Sequence, residues 1–179
     1  MIAGIDEVGR GCLAGPVIAA SVILKNPIAG LTDSKKLSQK KREYLSSKIM
    51  ENSIWAIGQS DNIEIDKINI LQASLLAMQR SLERLQIKPK KVFVDGAHTF
   101  SSSIEIESIV GGDNLIPSIS AASIIAKVHR DKLMTKYSEE FPNYGFEKHK
   151  GYPTRLHKEM LQKYGITSIH RKTFKGVNV

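Results

Sequence analysis

Acidic side chains follow three separate apolar segments of this chain, a pattern that metal-dependent chemistry requires. Asp6 and Glu7 end the segment GIDE, Asp95 ends KVFVD, and Asp113 follows two glycines. Carboxylates gathered at the ends of buried strands repel each other and lose hydration, and a divalent cation such as Mg²⁺ removes both costs. The competing interpretation is an exposed acidic turn at Asp6 and an Asp-Gly turn at Asp95.

Two features of these acids leave alternatives open. Neighbours on a regular strand point to opposite faces, so Asp6 and Glu7 can share an ion only if the chain twists at the glycines that follow. Asp113 is either a metal ligand or a turn residue. Asp131 is the other candidate for the same role, because it lies on the helix face whose other residues are apolar and predicted to be buried. A charge at that position indicates either a metal ligand or an ion pair with Lys127 at i−4.

Basic segments of the chain could contact a nucleic acid. The tripeptide Gly9-Arg10-Gly11 suits close backbone approach and bidentate phosphate contacts, with a solvated loop as the alternative. Lys35 lies in the basic run DSKKLSQKKR, for which a solvated helix start is the simpler interpretation. Tyr152 lies in the loop HKGYPT, where its ring could stack on a base or sugar beside Lys150, or pack within its own loop.

Composition excludes several classes of protein. The chain has 179 residues and a net charge of +8, from 26 Lys and Arg against 18 Asp and Glu, which favours a polyanionic partner. Its single cysteine, Cys12, excludes an intrachain disulfide and a multi-cysteine zinc site, and we expect a buried thiol in a reducing, cytoplasmic setting. No HExxH, P-loop or GxGxxG pattern occurs, and we expect neither a signal peptide nor a membrane span.

The elements that must position these residues indicate an α/β architecture with a mixed sheet. Strands are predicted over residues 2–8, 17–24, 54–60, 91–94 and 104–110. Helices are predicted from Ser38 to about 52, from a capping box at Asp61, over about 120–137 and over about 154–164. Apolar spacing predicts the buried faces of the second and third helices, which are Leu71, Leu75, Met78, Leu82 and Leu85 in one and Ala121, Ile124, Ile125 and Val128 in the other.

The motifs occur in an order that strongly resembles bacterial ribonuclease HII, a type 2 ribonuclease H. The series is GIDEVGRG, DSKKL, VDG, GD, SAASIIAKVHRD, HKGYPT and HRKTF, and it covers all but the last few residues. The resemblance implies a ribonuclease H-like fold, with a five-stranded mixed sheet flanked by helices and a C-terminal helical extension. We expect a single domain over 1–179, with a catalytic core to about 137 and an extension over about 138–179 that carries the HKGYPT loop.

The resemblance also implies an activity. Members of the family hydrolyse RNA in RNA–DNA hybrids and nick on the 5′ side of single ribonucleotides embedded in duplex DNA, which serves ribonucleotide removal in replication and repair. The expected mechanism is in-line attack of water with two metal ions, leaving a 3′-hydroxyl and a 5′-phosphate. The implied partners are the RNA–DNA hybrid and the DNA duplex with an embedded ribonucleotide, and we expect a monomer.

Metal ligands are implied by the matching motifs. In this family four acids hold Mg²⁺ or Mn²⁺, and by motif they are Asp6, Glu7, Asp95 and Asp113. The match favours Asp113 over Asp131. Asp131 and Lys127 are expected to support the site without holding the metal.

Substrate-binding residues are implied in the same way. Gly9, Arg10 and Gly11 match the family's loop that reads the RNA–DNA junction, and Tyr152 matches the tyrosine that stacks against the sugar next to the ribonucleotide. We also expect substrate contacts from Lys35 and Lys150.

Two other functions compete with this interpretation. A basic, non-catalytic nucleic-acid-binding module would explain the charge but not the acids after three strands, and a metal requirement for turnover separates the two. The second is a hybrid endonuclease like ribonuclease HIII, which acts weakly on single ribonucleotides. That sister type usually carries an additional N-terminal domain and a lysine in the Gly-x-Gly loop. Here the loop has Arg10, and Met1 lies five residues before Asp6, so we expect no such domain.

Overall fold

The architecture is a five-stranded mixed sheet with helices on both faces, described for residues 1–177 in a computed structural model. The strands are β1 (Ile2–Val8), β2 (Val17–Leu24), β3 (Ser53–Ser60), β4 (Lys91–Asp95) and β5 (Glu105–Ile109), in the spatial order β3-β2-β1-β4-β5. β1 pairs antiparallel with β2 and parallel with β4, and β4 pairs parallel with β5. The predicted α/β fold is confirmed, and the carboxyl ends of β1 and β4 meet at one edge of the sheet.

Helices cover both faces of this sheet and extend beyond it. They are α1 (Gln39–Asn52), α2 (Asn62–Glu83), α3 (Gly112–Leu115), α4 (Pro117–Glu140), α5 (Phe146–His149) and α6 (Arg155–Tyr164), with a 3-10 turn at Ser34–Lys36. Side-chain oxygens of Ser38, Asp61 and Thr154 cap α1, α2 and α6 at the predicted starts. The sequence pattern does not predict α3, α5 or the 3-10 turn, because three or four residues are too few to show helical periodicity.

The long helix α4 differs from its prediction in length, while its predicted buried residues Ala121, Ile124, Ile125 and Val128 are buried. It begins at Pro117 rather than 120, because proline is well suited to the first helical position. It ends at Glu140, so the expected division of the chain near 137 falls inside its last turn. A Cβ atom at Gly4 would lie 2.2 Å from the Ser118 carbonyl carbon, so only glycine lets β1 and α4 approach this closely.

Helix α2 buries most of its predicted face, together with small residues that the apolar spacing does not predict. Met78, Leu82 and Leu85 are buried as predicted, Leu71 and Leu75 are half-buried, and Leu85 lies beyond the end of the helix. Small residues also lie against the sheet, and a Cβ atom at Gly58 of β3 would lie 2.1 Å from the Ala77 carbonyl oxygen. Close approach of helix and sheet thus explains why small side chains occupy this part of the contact.

Residues 141–177 pack as a third cluster beside the core. Tyr144, Phe146 and Leu161 are buried there against Leu13 and Met134. Asp66 of α2 accepts hydrogen bonds from the backbone nitrogens of Lys172 and Thr173, which fastens the end of the chain to α2. Within residues 1–177, no helix has both the length and the apolar character required to cross a membrane.

Candidate active site

Three aspartates meet at the carboxyl edge of β1 and β4. Asp6 lies near the end of β1, Asp95 is the last residue of β4, and Asp113 lies in the short helix α3. One carboxylate oxygen from each lies within 4.8 Å of the other two. The parallel pairing of β1 with β4 produces this convergence, because it brings two strand ends together that are nearly 90 residues apart in sequence.

Glu7 joins this region in spite of strand alternation. The pairing of β1 with β4 ends at Ile5 opposite Val94, so Asp6 and Glu7 extend past the β4 ladder. Both side chains line one cavity there. Glu7 is not among the three acids that converge within 4.8 Å, and its Oε1 lies 3.3 Å from Arg10.

Residues of α3 and α4 hold Asp113 in place. Ser120 Oγ donates to the Asp113 carbonyl oxygen at 2.7 Å, and the Asp113 backbone nitrogen donates to Asp95 Oδ1 at 3.3 Å. Asn114 donates from Nδ2 to Asp113 Oδ1 at 2.9 Å. One turn further along α4, Ser123 forms a hydrogen bond with the Asp6 carboxylate, and its Oγ also lies 2.9 Å from Ser34 Oγ. No local pattern predicts a role for Asn114, Ser120 or Ser123, since single serine and asparagine residues carry no signal of their own.

Burial and mutual repulsion raise the pKa values of three of the acids, Asp6, Glu7 and Asp113. Burial raises the pKa of Asp6 well above its usual value, and the charges of Glu7 and Asp95 raise it further. Burial also raises the pKa of Glu7 and of Asp113, and the charge of Asp95 adds to the increase in both. The protein has therefore gathered negative charge that Arg10 beside Glu7 and Lys35 near Asp113 neutralise only in part.

The donor set fits a hard divalent cation. Asp6, Asp95 and Asp113 offer carboxylate oxygens only, which Mg²⁺ and Mn²⁺ prefer. Glu7 Oε2 is buried and has no hydrogen-bond partner among residues 1–177, so it is an available acceptor at the edge of the same cluster. A cation would remove the repulsion among the acids and satisfy this orphaned oxygen.

The cavity beside the acids has a basic and aromatic wall. It measures about 350 Å³ and is lined by Asp6, Glu7, Val8, Ser34, Lys35, Ser123, Lys127 and Tyr152. Lys127 Nζ lies 5.8 Å from the centre of the Tyr152 ring and forms an ion pair with Asp131 at 2.8 Å. Asp131 therefore takes the ion-pair alternative, and it lies outside the group of converging aspartates.

The Gly9-Arg10-Gly11 loop is clamped from beneath by a buried arginine. Arg171 donates from Nη2 to the Gly9 carbonyl oxygen at 2.6 Å, from Nη1 to that of Arg10 at 2.8 Å and from Nε to that of Gly15 at 3.0 Å. Burial lowers the pKa of Arg171 to about 10. Gly11 is exposed, and within residues 1–177 no atom beyond its chain neighbours lies within 4 Å of the position of a Cβ there, so the loop has room for a ligand.

A second buried arginine holds the other side of this connection. Arg130 donates to the carbonyl oxygens of Ala14, Pro16 and Lys150 at 2.7–3.0 Å. A Cβ atom at Gly9, where φ is +96°, would lie 2.2 Å from Arg130 Nε. No sequence pattern predicts that Arg130 and Arg171 are buried, because a single arginine in a basic sequence gives no sign of whether its side chain points inward or outward.

Two of the predicted residues lie away from the cavity or deeper in the protein. Lys150 donates to Thr135 Oγ1 and to the Glu147 carbonyl oxygen, and it lines a separate groove with Asp131. Cys12 is buried as expected, and burial raises the pKa of its thiol.

Comparisons with known proteins converge on one family. The family model described as Ribonuclease HII matches residues 3–177. The chain is 54% identical to a ribonuclease HII from Pelagibacter ubique over 99% of this chain and 97% of that one. It is 55% identical to a ribonuclease HII from Idiomarina loihiensis over 99% and 96%. A structure of the PCNA:RNase HII complex from Archaeoglobus fulgidus is similar with a TM-score of 0.84 and 27% identity, over 100% of this chain and 97% of that one.

Proposed function

The chain belongs to the ribonuclease HII family and is a ribonuclease H, and from that premise we propose that it nicks duplex DNA on the 5′ side of a single embedded ribonucleotide. It also hydrolyses RNA in RNA–DNA hybrids, as an endonuclease. We propose that hydrolysis proceeds by in-line attack of water, leaves a 3′-hydroxyl and a 5′-phosphate, and serves removal of ribonucleotides during replication and repair.

One observation carries this proposal. The three aspartates within 4.8 Å of one another lie next to a cavity that Tyr152 and Lys127 also line. A nucleic-acid-binding module without catalysis has no use for buried, mutually repelling carboxylates, whose burial costs free energy. The basic module is therefore the weaker candidate.

The acids would hold the catalytic cations. We propose that Asp6, Glu7, Asp95 and Asp113 bind Mg²⁺ or Mn²⁺, which supply a nucleophilic water and stabilise the departing oxygen. The protein's own part is positional. Ser123 and Asn114 fix the orientation of the Asp6 and Asp113 carboxylates through the hydrogen bonds described above, so that the donors are in place before the substrate arrives.

Recognition is assigned to the loop and wall residues around the cavity. Gly9, Arg10 and Gly11 would approach the junction through the backbone, and the 2′-hydroxyl is the group by which RNA differs from DNA. Tyr152 would stack against the sugar next to the ribonucleotide. Lys35, which lines the cavity, would contact phosphate, while Lys127 and Asp131 support this wall as an ion pair.

We also propose that the protein is a monomer and that it works in the cytoplasm. It would form one domain, in which the core to about 137 and the extension act together. The loop arginine, Arg10, favours action on single ribonucleotides over the hybrid-only preference of a ribonuclease HIII-like enzyme.

The test uses end-labelled DNA duplexes that carry one ribonucleotide, incubated with Mg²⁺ and separately with EDTA. We expect a single Mg²⁺-dependent nick on the 5′ side of the ribonucleotide, with no cleavage of the matched all-DNA duplex. Cleavage of a long RNA–DNA hybrid without this nick would indicate the ribonuclease HIII-like alternative. Binding of both duplexes without cleavage in Mg²⁺ or Mn²⁺ would contradict the enzymatic assignment.

A further inference from the structure

A second cavity of about 380 Å³ lies between α1 and α4, outside the site described above. Its charged lining residues are Arg42, Glu43, Asp131, Lys132, Lys136 and Lys150. Four of these six side chains are cationic.

The cations in this α1–α4 groove are only partly neutralised. Asp131 is already paired with Lys127, and Glu43 accepts a hydrogen bond from Gln39 at 2.9 Å. Lys132 and Lys136 are exposed on one side of α4, one helical turn apart. The groove therefore presents a net positive surface that complements a polyanion.

The groove adjoins the candidate active site. Lys127 lines the catalytic cavity, while its ion-pair partner Asp131 lines the groove, so a single salt bridge separates the two spaces. Lys150 of the groove lies two residues before Tyr152 of the cavity. A rigid duplex that is bound at the acids and runs from Lys127 towards Asp131 must pass over the groove.

We propose that the α1–α4 groove binds phosphates of the substrate duplex on one side of the nick, through Lys132 and Lys136. This inference rests on the proposed function. At 1.5 Å per residue along α4, Asp131 lies about 12 Å and Lys136 about 20 Å from Ser123 at the acids. With a duplex rise of about 3.4 Å per base pair, the contacted phosphates lie about four to six base pairs from the scissile one.

The test compares the wild type with the double variant Lys132→Gln/Lys136→Gln by fluorescence anisotropy in EDTA, on a duplex with one ribonucleotide. Two lost phosphate contacts lower the slope of log affinity against log salt by about 1.8. Between about 50 and 200 mM salt the wild type should therefore lose roughly tenfold more affinity than the variant. The matched control is Lys88→Gln/Lys90→Gln, which removes two exposed lysines before the start of β4, at the opposite end of the strand from Asp95.

Flank length then locates the contact. Duplexes with about three base pairs on one side of the ribonucleotide and about ten on the other are compared with the reversed arrangement. We expect the variant to differ from the wild type with only one of the two arrangements. Three results would each overturn the proposal: an unchanged salt slope, an equal change in the Lys88/Lys90 control, or an effect that does not depend on flank length. An unchanged salt slope would indicate that the groove binds an acidic protein instead of the duplex.

Failure of this proposal is distinguishable from failure of the proposed function. A wild-type enzyme that nicks the single-ribonucleotide duplex in Mg²⁺ while the groove variant keeps the wild-type salt slope refutes the groove alone. Absence of nicking by the wild type refutes the function itself, whatever the slopes.

Discussion

Replacement of Arg171 by methionine tests whether the junction loop depends on a clamp in the C-terminal segment. The guanidinium is fully buried and donates to the carbonyl oxygens of Gly9, Arg10 and Gly15. Methionine fills a comparable volume but donates no hydrogen bond, so Arg171→Met leaves these three acceptors without their donor.

The expected loss of stability follows from these contacts. A buried acceptor left without a donor costs about 1–3 kcal/mol, and a net hydrogen bond to a charged group contributes a similar amount. Two effects reduce the loss. Arg10 is exposed, so water can reach its carbonyl oxygen, and the substitution also removes the desolvation cost of burying the Arg171 charge. We therefore take the lower limit for each bond, about 3 kcal/mol in total, which corresponds to about 6–12 °C in Tm for a chain of this size.

The assay combines denaturant unfolding with cleavage of two substrates. Because the clamp holds the loop that is expected to read the junction, kcat/KM on the single-ribonucleotide duplex should fall about tenfold more than on a long hybrid, the equivalent of about 1.4 kcal/mol. Arg171→Lys keeps the charge without the planar fork and should recover part of the loss. Lys175→Met, an exposed change in the same segment, is the control.

Two outcomes would refute the reasoning. A stability loss below about 1 kcal/mol would show that the carbonyl oxygens find other donors. An equal fall in kcat/KM on both substrates would show that Arg171 stabilises the fold without setting the geometry of the loop.

Asp95→Asn should lower cleavage by about a hundredfold or more while duplex affinity in EDTA stays near wild type, and substantial Mg²⁺-dependent nicking by this variant would reject its assignment as a ligand. Tyr152→Ala should reduce kcat/KM on the single-ribonucleotide duplex more than on a long hybrid, and equal losses would remove its role at the junction. Burial lowers the pKa of His157 and of His170 to about 4, from about 6.5 in the unfolded chain, so the stability they contribute is present above pH 6.5 and is lost as the pH falls towards 4. The two histidines should therefore lower the free energy of unfolding by about 2–4 kcal/mol between pH 7 and pH 5, whereas the raised pKa values of Asp6, Glu7 and Asp113 act in the opposite direction. In denaturant titrations the wild type should lose more stability over this range than His157→Gln/His170→Gln, and equal losses would contradict this account.

Local signals in the sequence predict most of the fold. Ser38 and Asp61 mark helix starts because their side-chain oxygens bond backbone nitrogens within the same turn, as the structure shows. Strands β1 and β2 are predicted with their observed bounds, since β2 is an almost continuous apolar run and β1 lacks charged residues up to Asp6. The apolar spacing of α2 identifies Met78, Leu82 and Leu85 as buried, but not Ala73 and Ala77, because close contact with the sheet is a tertiary constraint that periodicity does not contain.

The candidate site is less accessible to sequence reasoning. Local pattern indicates acids at strand ends, but the adjacency of β1 and β4 is a long-range pairing that spacing does not encode. Local pattern also leaves Asp113 and Asp131 equivalent. The structure separates them, because the Asp113 backbone nitrogen bonds Asp95 while the Asp131 side chain bonds Lys127.

The expected core and C-terminal extension meet beside the candidate site. The segment from Leu13 to Gly15 bonds the C-terminal region at two places. The Leu13 nitrogen donates to the Gly151 carbonyl oxygen before α6, and the Gly15 nitrogen donates to the Ile169 carbonyl oxygen after α6. Arg171 then reaches from the same region to Gly9. Because these contacts fix both ends of the loop that follows Glu7, loss of the last helix and segment would disturb the acids as well as the substrate wall, and the two parts should unfold as one cooperative unit.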